Sequence, residues 1–346
     1  MRIALLLVGF GHVGQRFTRL LEELQPALRA LDLEPRIVGV ATRSRGLVFD
    51  GAGLDPFQAT GILAPRTPET SPVREYAPRL RSLGAETRVL VETTTLDVRS
   101  GEPAIAHVRA GLAGGAHVIS ANKGPAAFAY EALAEEARAA DRSFLFEGAV
   151  MDGIPVLNLV RECLPAATVR AFRGVINSTT NHILTALELG EPFDEALARM
   201  QAEGVAEADA SLDVDGWDAA AKTAVLANVW LGARLTPLTV RREGISAATA
   251  TRARQAQAEG RRLKLVARAA REGDRIHAAV ALEELDRSDP LAGLNGQGNA
   301  LEIDAWPTGR LVITQRDGGL EKTAYALVSD LVTVADRVRR GSVTRS

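Results

Sequence analysis

A run of six apolar residues, Ile3 to Val8, leads straight into Gly9-Phe10-Gly11-His12-Val13-Gly14, and a helical pattern follows at once. An unbroken apolar run of this length suits a strand buried on both faces. Phe17, Leu20, Leu21, Leu24 and Leu28 then recur at helical spacing to about Ala30. Strand, G-x-G-x-x-G and helix in immediate succession form the dinucleotide-binding fingerprint in the context it requires. Gly9 permits the tight turn, Gly11 lets the main chain approach a pyrophosphate, and Gly14 allows close packing of helix on strand. The helix start offers free N–H groups and a positive dipole end to the phosphates. A bare G-x-G-x-x-G is a weak signal. Flanked in this way, residues 9–14 become candidate cofactor contacts, and the N-terminal half is constrained to an α/β fold.

The following segments extend that reading. Arg36 to Ala41 is a second strand, and an acid at its end would hold the ribose 2′-hydroxyl of NAD. The sequence instead gives Thr42-Arg43-Ser44-Arg45, while Asp32 and Glu34 precede the strand. Arg43 therefore suits a 2′-phosphate, which favours NADP, with NAD as the alternative; the plainer reading of Arg43 is a solvated loop residue. Residues 50–80 are an irregular, partly helical excursion. Arg88 to Thr93 and Gly115 to Ser120 are further strands, with helices at Glu102 to Ala113 and Phe128 to Ala140 and a last strand at Ser143 to Phe146. The alternation implies a parallel, doubly wound Rossmann-type sheet. Thr93, Thr94, Ser120 and Lys123 fall at its carboxyl edge, where ligands bind in such folds. They join the candidate cofactor contacts.

Composition narrows the class. The 346 residues are enough for two domains, and 46% hydrophobic with 24% charged residues is ordinary for a globular chain. A net charge of -2, with no basic block, gives no electrostatic argument for nucleic acid or a membrane surface. No membrane span is evident, and the first residues read as a strand rather than a signal peptide. The single cysteine, Cys163, fits a reducing cytoplasm and reads as a small buried hydrophobe.

In the C-terminal half, Asn177-Ser178-Thr179-Thr180-Asn181 precede a helix. Such residues are first of all an N-cap, but five together exceed what one cap needs. Free N–H groups there suit a substrate carboxylate. The stretch 203–222 sets Glu207, Asp209, Asp213, Asp215 and Asp218 ahead of Lys222. Asp218 and Lys222 are four apart at the start of a helix and share one face. Taken alone, that pair is an ordinary surface salt bridge. Asp213-x-Asp215-Gly216 echoes a calcium loop, but the required glutamate position holds Lys222, so calcium is rejected. His12 and His182 are set aside as general bases. Thr249 to Glu259 is ambiguous, Arg261 to Arg271 alternates like a strand, and further strands are expected near His277–Leu282, Ala300–Ala305 and Arg310–Thr314. Thr323 to Asp336 is a last helix.

Taken together, GFGHVG at 9–14, SANKGP at 120–125, EGAVMDGIP at 147–155, GVINSTTNHIL at 174–184 and the stretch 203–222 resemble the homoserine dehydrogenase family over nearly the whole chain. That resemblance implies reversible oxidation of L-homoserine to L-aspartate 4-semialdehyde with NAD(P), in threonine, methionine and isoleucine biosynthesis. It implies a cytoplasmic homodimer, with strands of the 275–315 region at the interface. Residues 1–147 would be the dinucleotide-binding domain, with 320–346 packing back on it, and 148–319 an α+β substrate-binding and dimerisation domain. By the resemblance, Lys123 and Lys222 line the reacting centre with Asp218. Glu207 and Asp213 hold or order substrate, and Ser178 and Thr179 lie near it. Glu147 with the main-chain carbonyls of Val150, Asp152 and Ile154 matches a sodium-type cation site. Gly319 belongs to a turn that contributes to the cofactor.

The chain departs from the family pattern at several points. It has Val205 where common members carry tyrosine, Ser178 where they carry glycine, and Gln315-Arg316-Asp317-Gly318-Gly319 in place of a glycine-rich turn. It ends where many members add a regulatory domain, so feedback control by an appended domain is not expected. Alcohol oxidation needs a base for the hydroxyl proton while hydride leaves carbon. Lys222 is the candidate for proton transfer, with Lys123 orienting the oxygen; the alternative exchanges the two roles. Glu207 would take the α-ammonium. The rival readings are a Rossmann dehydrogenase of another small hydroxy or amino acid, and a catalytically silent NADP-binding regulatory protein.

Overall fold

The structure, a computed structural model, describes residues 1–62, 72–84, 87–202 and 210–341. It divides into two units, Met1–Arg161 with Leu320–Ser346, and Glu162–Gly319. The division falls beyond the expected 147/148 boundary. The Glu147 carboxylate accepts the main-chain N–H groups of Leu157 at 2.8 Å and Asn158 at 2.7 Å, which keeps this segment with the first unit. Among the described residues no helix is long and apolar enough to cross a membrane.

The first unit is built on strands β1 (Arg2–Val8), β2 (Glu34–Thr42), β3 (Gly46–Phe49), β4 (Thr87–Glu92), β5 (His117–Ser120) and β6 (Phe144–Leu145). Their order is β3-β2-β1-β4-β5-β6. All neighbours are parallel except β3, which runs antiparallel to β2 and edges a sheet expected to be wholly parallel. The apolar run of β3, Leu47-Val48-Phe49, is only three residues long, too short to announce a strand by itself. Ile3, Leu5 and Leu7 of β1 pack with Phe17 and Leu20 of helix His12–Glu23 and with Leu327 and Leu331 of helix Leu320–Arg339. Leu6 and Val8 face the other way, toward Tyr76, Leu80, Val108 and Leu112. Strand period two thus explains the unbroken apolar run: both faces are covered. Each large aliphatic side chain buried in this way contributes roughly 1.5–3 kcal/mol.

Several local expectations shift. The excursion after residue 50 contains helices Pro56–Ile62 and Val73–Arg81. The helix expected from Phe128 begins at Gly124, so Lys123 stands at its N-cap. Before Cys163 the chain forms a short α-turn, Val156–Asn158, continued by a π-helical turn, Leu159–Cys163. Cys163 is exposed rather than buried. It follows Arg161 and Glu162 and ends a turn just before Leu164-Pro165.

The second unit carries β7 (Thr168–Val175), β8 (Arg241–Arg242), β9 (Arg261–Glu272), β10 (Arg275–Asp286), β11 (Asn299–Trp306) and β12 (Gly309–Gln315). Their order is β12-β11-β7-β9-β10-β8, antiparallel except for β8 beside β10. Helices Ser178–Glu188, Trp217–Leu231 and Thr249–Ala258 accompany it, the last resolving the ambiguous segment as helix. Ala219, Ala220, Ala221 and Ala224 are buried on the Trp217–Leu231 helix, where small side chains let the backbone approach its neighbours. Gly216 starts this helix at φ 78°, and a Cβ there would meet the Glu243 carbonyl oxygen at 2.7 Å. The helix start is therefore pinned in place by a residue that must be glycine.

Candidate active site

In the first unit the glycine turn closes against the end of β4. Thr93 N–H donates to Val8 O at 2.8 Å, and Thr93 Oγ1 to Gly9 O at 3.0 Å. Gly9 has φ 91°, and a Cβ on it would lie 2.7 Å from Thr93 main-chain atoms. Gly14 is nearly as tight, its Cβ position lying 3.0 Å from Gly9 O. Gly11 differs: nothing lies within 4 Å of its Cβ position. No side chain caps the His12–Glu23 helix, so its N-terminal N–H groups remain for a ligand. This open space beside an uncapped helix start fits a dinucleotide pyrophosphate. Strands β1 and β4 are adjacent where the strand order reverses, the position at which such sheets bind ligands. Phe10 packs edge-on against Phe57, with ring centroids 5.2 Å apart, while His12 is exposed and Val13 half-buried.

At the end of β2, Arg45 is turned onto Thr60 O. Arg43 is exposed and has no ion-pair or hydrogen-bond partner among the described residues. The two arginines that sequence left together are thus distinguished.

A buried polar platform lies beneath Lys123. Glu92, fully buried, accepts from Thr94 N–H at 3.1 Å, from the Thr94 hydroxyl and from Ser120 Oγ at 3.3 Å. His107 Nδ1 is 3.3 Å from the same carboxylate. Asn122 Nδ2 donates to Thr94 O at 3.0 Å, and Asn122 Oδ1 accepts from Gly124 N–H at 2.8 Å. Half-buried Lys123 is held between Asn122 and Gly124 at the helix start. Sequence reading picked out Thr94 and Ser120 but missed Glu92 and Asn122, which organise them. A carboxylate closing the apolar run of β4 was the available signal.

Glu147 is buried, and its carboxyl is pushed up to about 8 by desolvation and by Asp330, against the two N–H groups it accepts. Burial likewise pushes Asp330 up to about 7, and its Oδ2 accepts the Glu147 N–H at 2.9 Å. Arg161 opposes both shifts, and a bound cation would likewise favour the charged form that burial disfavours at Glu147. Val150 and Ile154 are buried, and Ile154 O accepts from Val156 N–H at 2.8 Å. Asp152 has φ 51°, and its carboxylate takes the Thr323 hydroxyl at 3.2 Å. Among the described residues, no three His, Cys, Asp or Glu side chains cluster as a metal site. Sequence reading missed Asp330, because helical periodicity alone does not mark a buried acid.

In the second unit Asp218 and Lys222 lie in the first turns of the Trp217–Leu231 helix. Lys222 Nζ is 2.9 Å from Asp218 Oδ2 and donates to Ile176 O at 2.7 Å. Asn177 Nδ2 donates to both Asp213 Oδ1 at 2.7 Å and Asp218 Oδ2 at 2.9 Å. The Thr179 hydroxyl also hydrogen-bonds Asp213. Burial and the neighbouring Asp218 push the Asp213 carboxyl up, against the opposing effects of Asn177, Lys222 and Thr179. Asp213, Asp218, Lys222 and Thr179 are therefore brought to one corner. Ser178 is near in sequence, but its hydroxyl accepts from Asn299 Nδ2 at 2.8 Å. Asp215 is exposed. Glu207 and Asp209, like Val205, lie outside the described residues. Gly319 closes the second unit at φ 122°.

Asn177 was legible only as a cap. Its Oδ1 indeed accepts the Thr180 N–H at 2.8 Å, but its amide hydrogens serve the two acids. That second role depends on acids 36 and 41 residues further on and has no local sequence signal.

Comparison with known proteins gives a consistent result. Residues 9–147 match the family model described as homoserine dehydrogenase, NAD binding domain, and residues 155–332 the model described as homoserine dehydrogenase. The chain is 34% identical over 344 residues to an NAD(+)-dependent homoserine dehydrogenase of Pseudomonas canavaninivorans, covering 97% of each. It is 30% identical to a homoserine dehydrogenase of Methanocaldococcus jannaschii, covering 97% of this chain and 99% of that one. The crystal structure of a homoserine dehydrogenase from Thiobacillus denitrificans superposes with a TM-score of 0.81 at 30% identity, covering 99% of this chain and 75% of that one.

Proposed function

The chain belongs to the homoserine dehydrogenase family, an oxidoreductase family acting on CH–OH, and from that premise we propose that it interconverts L-homoserine and L-aspartate 4-semialdehyde. The observation that carries this proposal is the Lys222 ammonium held 2.9 Å from Asp218 and 2.7 Å from Ile176 O, beside Asp213. A lysine held by carboxylates and a main-chain carbonyl is fixed in direction; as the ammonium it can donate a proton, and as the neutral amine it can accept one. In the oxidation Lys222 takes the hydroxyl proton; in the reduction it returns it. Asp218 orients Lys222. Asp213 and Thr179 order substrate, with Ser178 beside them at the helix start, and Glu207 takes the substrate α-ammonium; for these roles the support is the family resemblance. Lys123 orients the reacting oxygen and stabilises developing negative charge, on the same support. Hydride acceptance is the chemistry that the bound nicotinamide supplies.

For the cofactor, we propose NADP over NAD. Support comes from Arg43, exposed and unpaired among the described residues at the end of β2, and from the lack of an acid at residues 42–45. The named NAD(+) dependence of the Pseudomonas relative makes this the sharpest point to test. Glu147 with the carbonyls of Val150, Asp152 and Ile154 would hold a sodium-type cation. Its support is the family resemblance, together with the buried Glu147 carboxyl, whose charged form a cation would favour. A cytoplasmic homodimer serving threonine, methionine and isoleucine formation completes the reading. Strands of the 275–315 region would form its interface, on the support of the family resemblance.

The deciding experiment follows nicotinamide absorbance with L-homoserine and NADP or NAD. Reduction of either cofactor with homoserine, and not with other short hydroxy acids, supports the reaction. Cofactor binding without turnover of any hydroxy compound overturns it.

A further inference from the structure

Asn177 is 5% exposed and stands between two elements at the reacting corner of the second unit. Its side chain has two ends with different duties. Oδ1 accepts the Thr180 N–H at 2.8 Å and the Thr180 hydroxyl at 2.9 Å, which caps the Ser178–Glu188 helix. Nδ2 has two hydrogens, and each goes to a different carboxylate: Asp213 Oδ1 at 2.7 Å and Asp218 Oδ2 at 2.9 Å. The Asp218 oxygen it contacts is the same one that lies 2.9 Å from Lys222 Nζ. The residue before it, Ile176, supplies the carbonyl that receives Lys222 at 2.7 Å. One dipeptide therefore grips both acids and the lysine.

Two half-buried carboxylates side by side repel one another, and a bridging donor offsets that repulsion. The charged groups acting on Asp213 are Asp218 and Lys222. Of the other charges near this helix start, Asp215 is exposed. Arg242 lies over the Trp217 ring, 3.3 Å from its centroid, and the Glu243 carboxylate accepts the Leu282 N–H at 2.9 Å. Burial pushes the Asp213 carboxyl up, and the Asn177 amide opposes that shift.

We infer that Asn177 is a positioning residue: its amide locks Asp213 and Asp218 into a single unit that fixes the direction and charge of Lys222. This rests on the reaction proposed above for its consequence in turnover, but the bridge itself stands on geometry alone. A mere helix cap would need only Oδ1. The two roles separate in Asn177→Ser, because serine caps a helix about as well as asparagine yet cannot donate to two carboxylates.

The test uses the full chain. Carboxyl titration of Asp213 and Asp218 is followed by ¹³C NMR with aspartate labelling, assigned through Asp213→Asn and Asp218→Asn. Homoserine kcat, KM and their pH profiles are measured beside it, with the thermal midpoint. In Asn177→Ser the Asp213 and Asp218 transitions move to higher pH. The pH dependence of kcat moves with them, and kcat falls about ten- to a hundredfold, the scale of misplacing a reacting group by about an ångström. The thermal midpoint and the KM for NADP stay near wild type. Unchanged carboxyl titration in the folded variant overturns the proposal, as does an unchanged kcat profile. Should Asn177→Ser not fold, Asn177→Asp keeps the capping oxygen and sets a third acid against the pair. Its expected loss of turnover is larger, and wild-type turnover would overturn the proposal. If the wild-type chain does not oxidise homoserine, the proposed reaction fails, while the titration still decides the bridge.

Discussion

Asp218 Oδ2 stands 2.9 Å from Lys222 Nζ across one helical turn, with 14% and 12% of the two side chains exposed. An exposed pair at this spacing contributes only about 0.3–0.5 kcal/mol. Here Asn177 and Asp213 close the pair in, so its geometry is fixed by four groups rather than two. Lys222→Ala is expected to lower kcat by about a hundred- to ten-thousandfold, the range of a lost general acid or base. NADPH affinity, measured by fluorescence titration, should stay at the wild-type value. Turnover within a few fold of wild type would remove Lys222 from proton transfer.

Arg43 bears on the choice of cofactor. Arg45, its neighbour in the strand-end loop, is committed to Thr60 O, whereas Arg43 is exposed with no partner among the described residues. Arg43→Ala should weaken NADP binding by about 1.5–3 kcal/mol, the scale of a hydrogen bond to a charged group. NAD binding should change much less. Equal loss for both dinucleotides, measured by titration at one ionic strength, would end the argument for a 2′-phosphate contact.

The first sheet was readable because each of its signals is local. The apolar run of β1, the glycine turn and the helical period after it all lie within 30 residues, and burial on both faces leaves a continuous pattern. β3 was not read because its apolar run, Leu47-Val48-Phe49, is only three residues long. At the site, Asp218 and Lys222 were legible because four-residue spacing is a helical fact. Asn177, Glu92 and Asp330 were not read as organising residues. Each acts through a partner distant in sequence: Asp213 and Asp218, Ser120, and Glu147. Cys163 was misread for the opposite reason. Residue type suggested burial, while its place after two charged residues at a turn decided exposure.

The glycines of the turn should separate stability from binding. Gly9 sits at φ 91° with main-chain atoms of Thr93 2.7 Å from its Cβ position, and backbone cannot move aside. Gly9→Ala should therefore cost roughly 1–3 kcal/mol or more of stability. Gly11 has open space at that position. Gly11→Ala should change stability by no more than about 0.5 kcal/mol, as at an ordinary surface site. It should nevertheless weaken dinucleotide binding, because the methyl group enters the space beside the free helix N–H groups. Urea denaturation and dinucleotide titration on both variants check this. Wild-type dinucleotide affinity in Gly11→Ala would show that the pyrophosphate does not approach there.

Lys264 of β9 provides a pH signature in the second unit. It is fully buried, and its Nζ donates to Asn181 Oδ1 at 2.9 Å and to Leu294 O at 2.5 Å. Burial lowers its pKa from 10.5 to about 8, with Glu188 opposing the shift and Arg262 adding to it. A depressed folded-state value means that the folded chain gives up this proton before the unfolded chain does. Below about pH 8 both states are protonated, and the folded state bears the full cost of the buried ammonium. Between about 8 and 10.5 the folded lysine is neutral while the unfolded one is still charged, so this group's contribution to stability rises with pH. Lys264→Met removes the titrating group and with it that slope, although it also leaves Asn181 Oδ1 and Leu294 O without their donor. The quantity to compare is therefore the change in unfolding free energy across the window, not its value at one pH. Wild-type stability should gain up to about 3 kcal/mol relative to Lys264→Met over that range. Parallel pH profiles for the two proteins in urea denaturation would show that Lys264 keeps its ordinary affinity for the proton despite its burial.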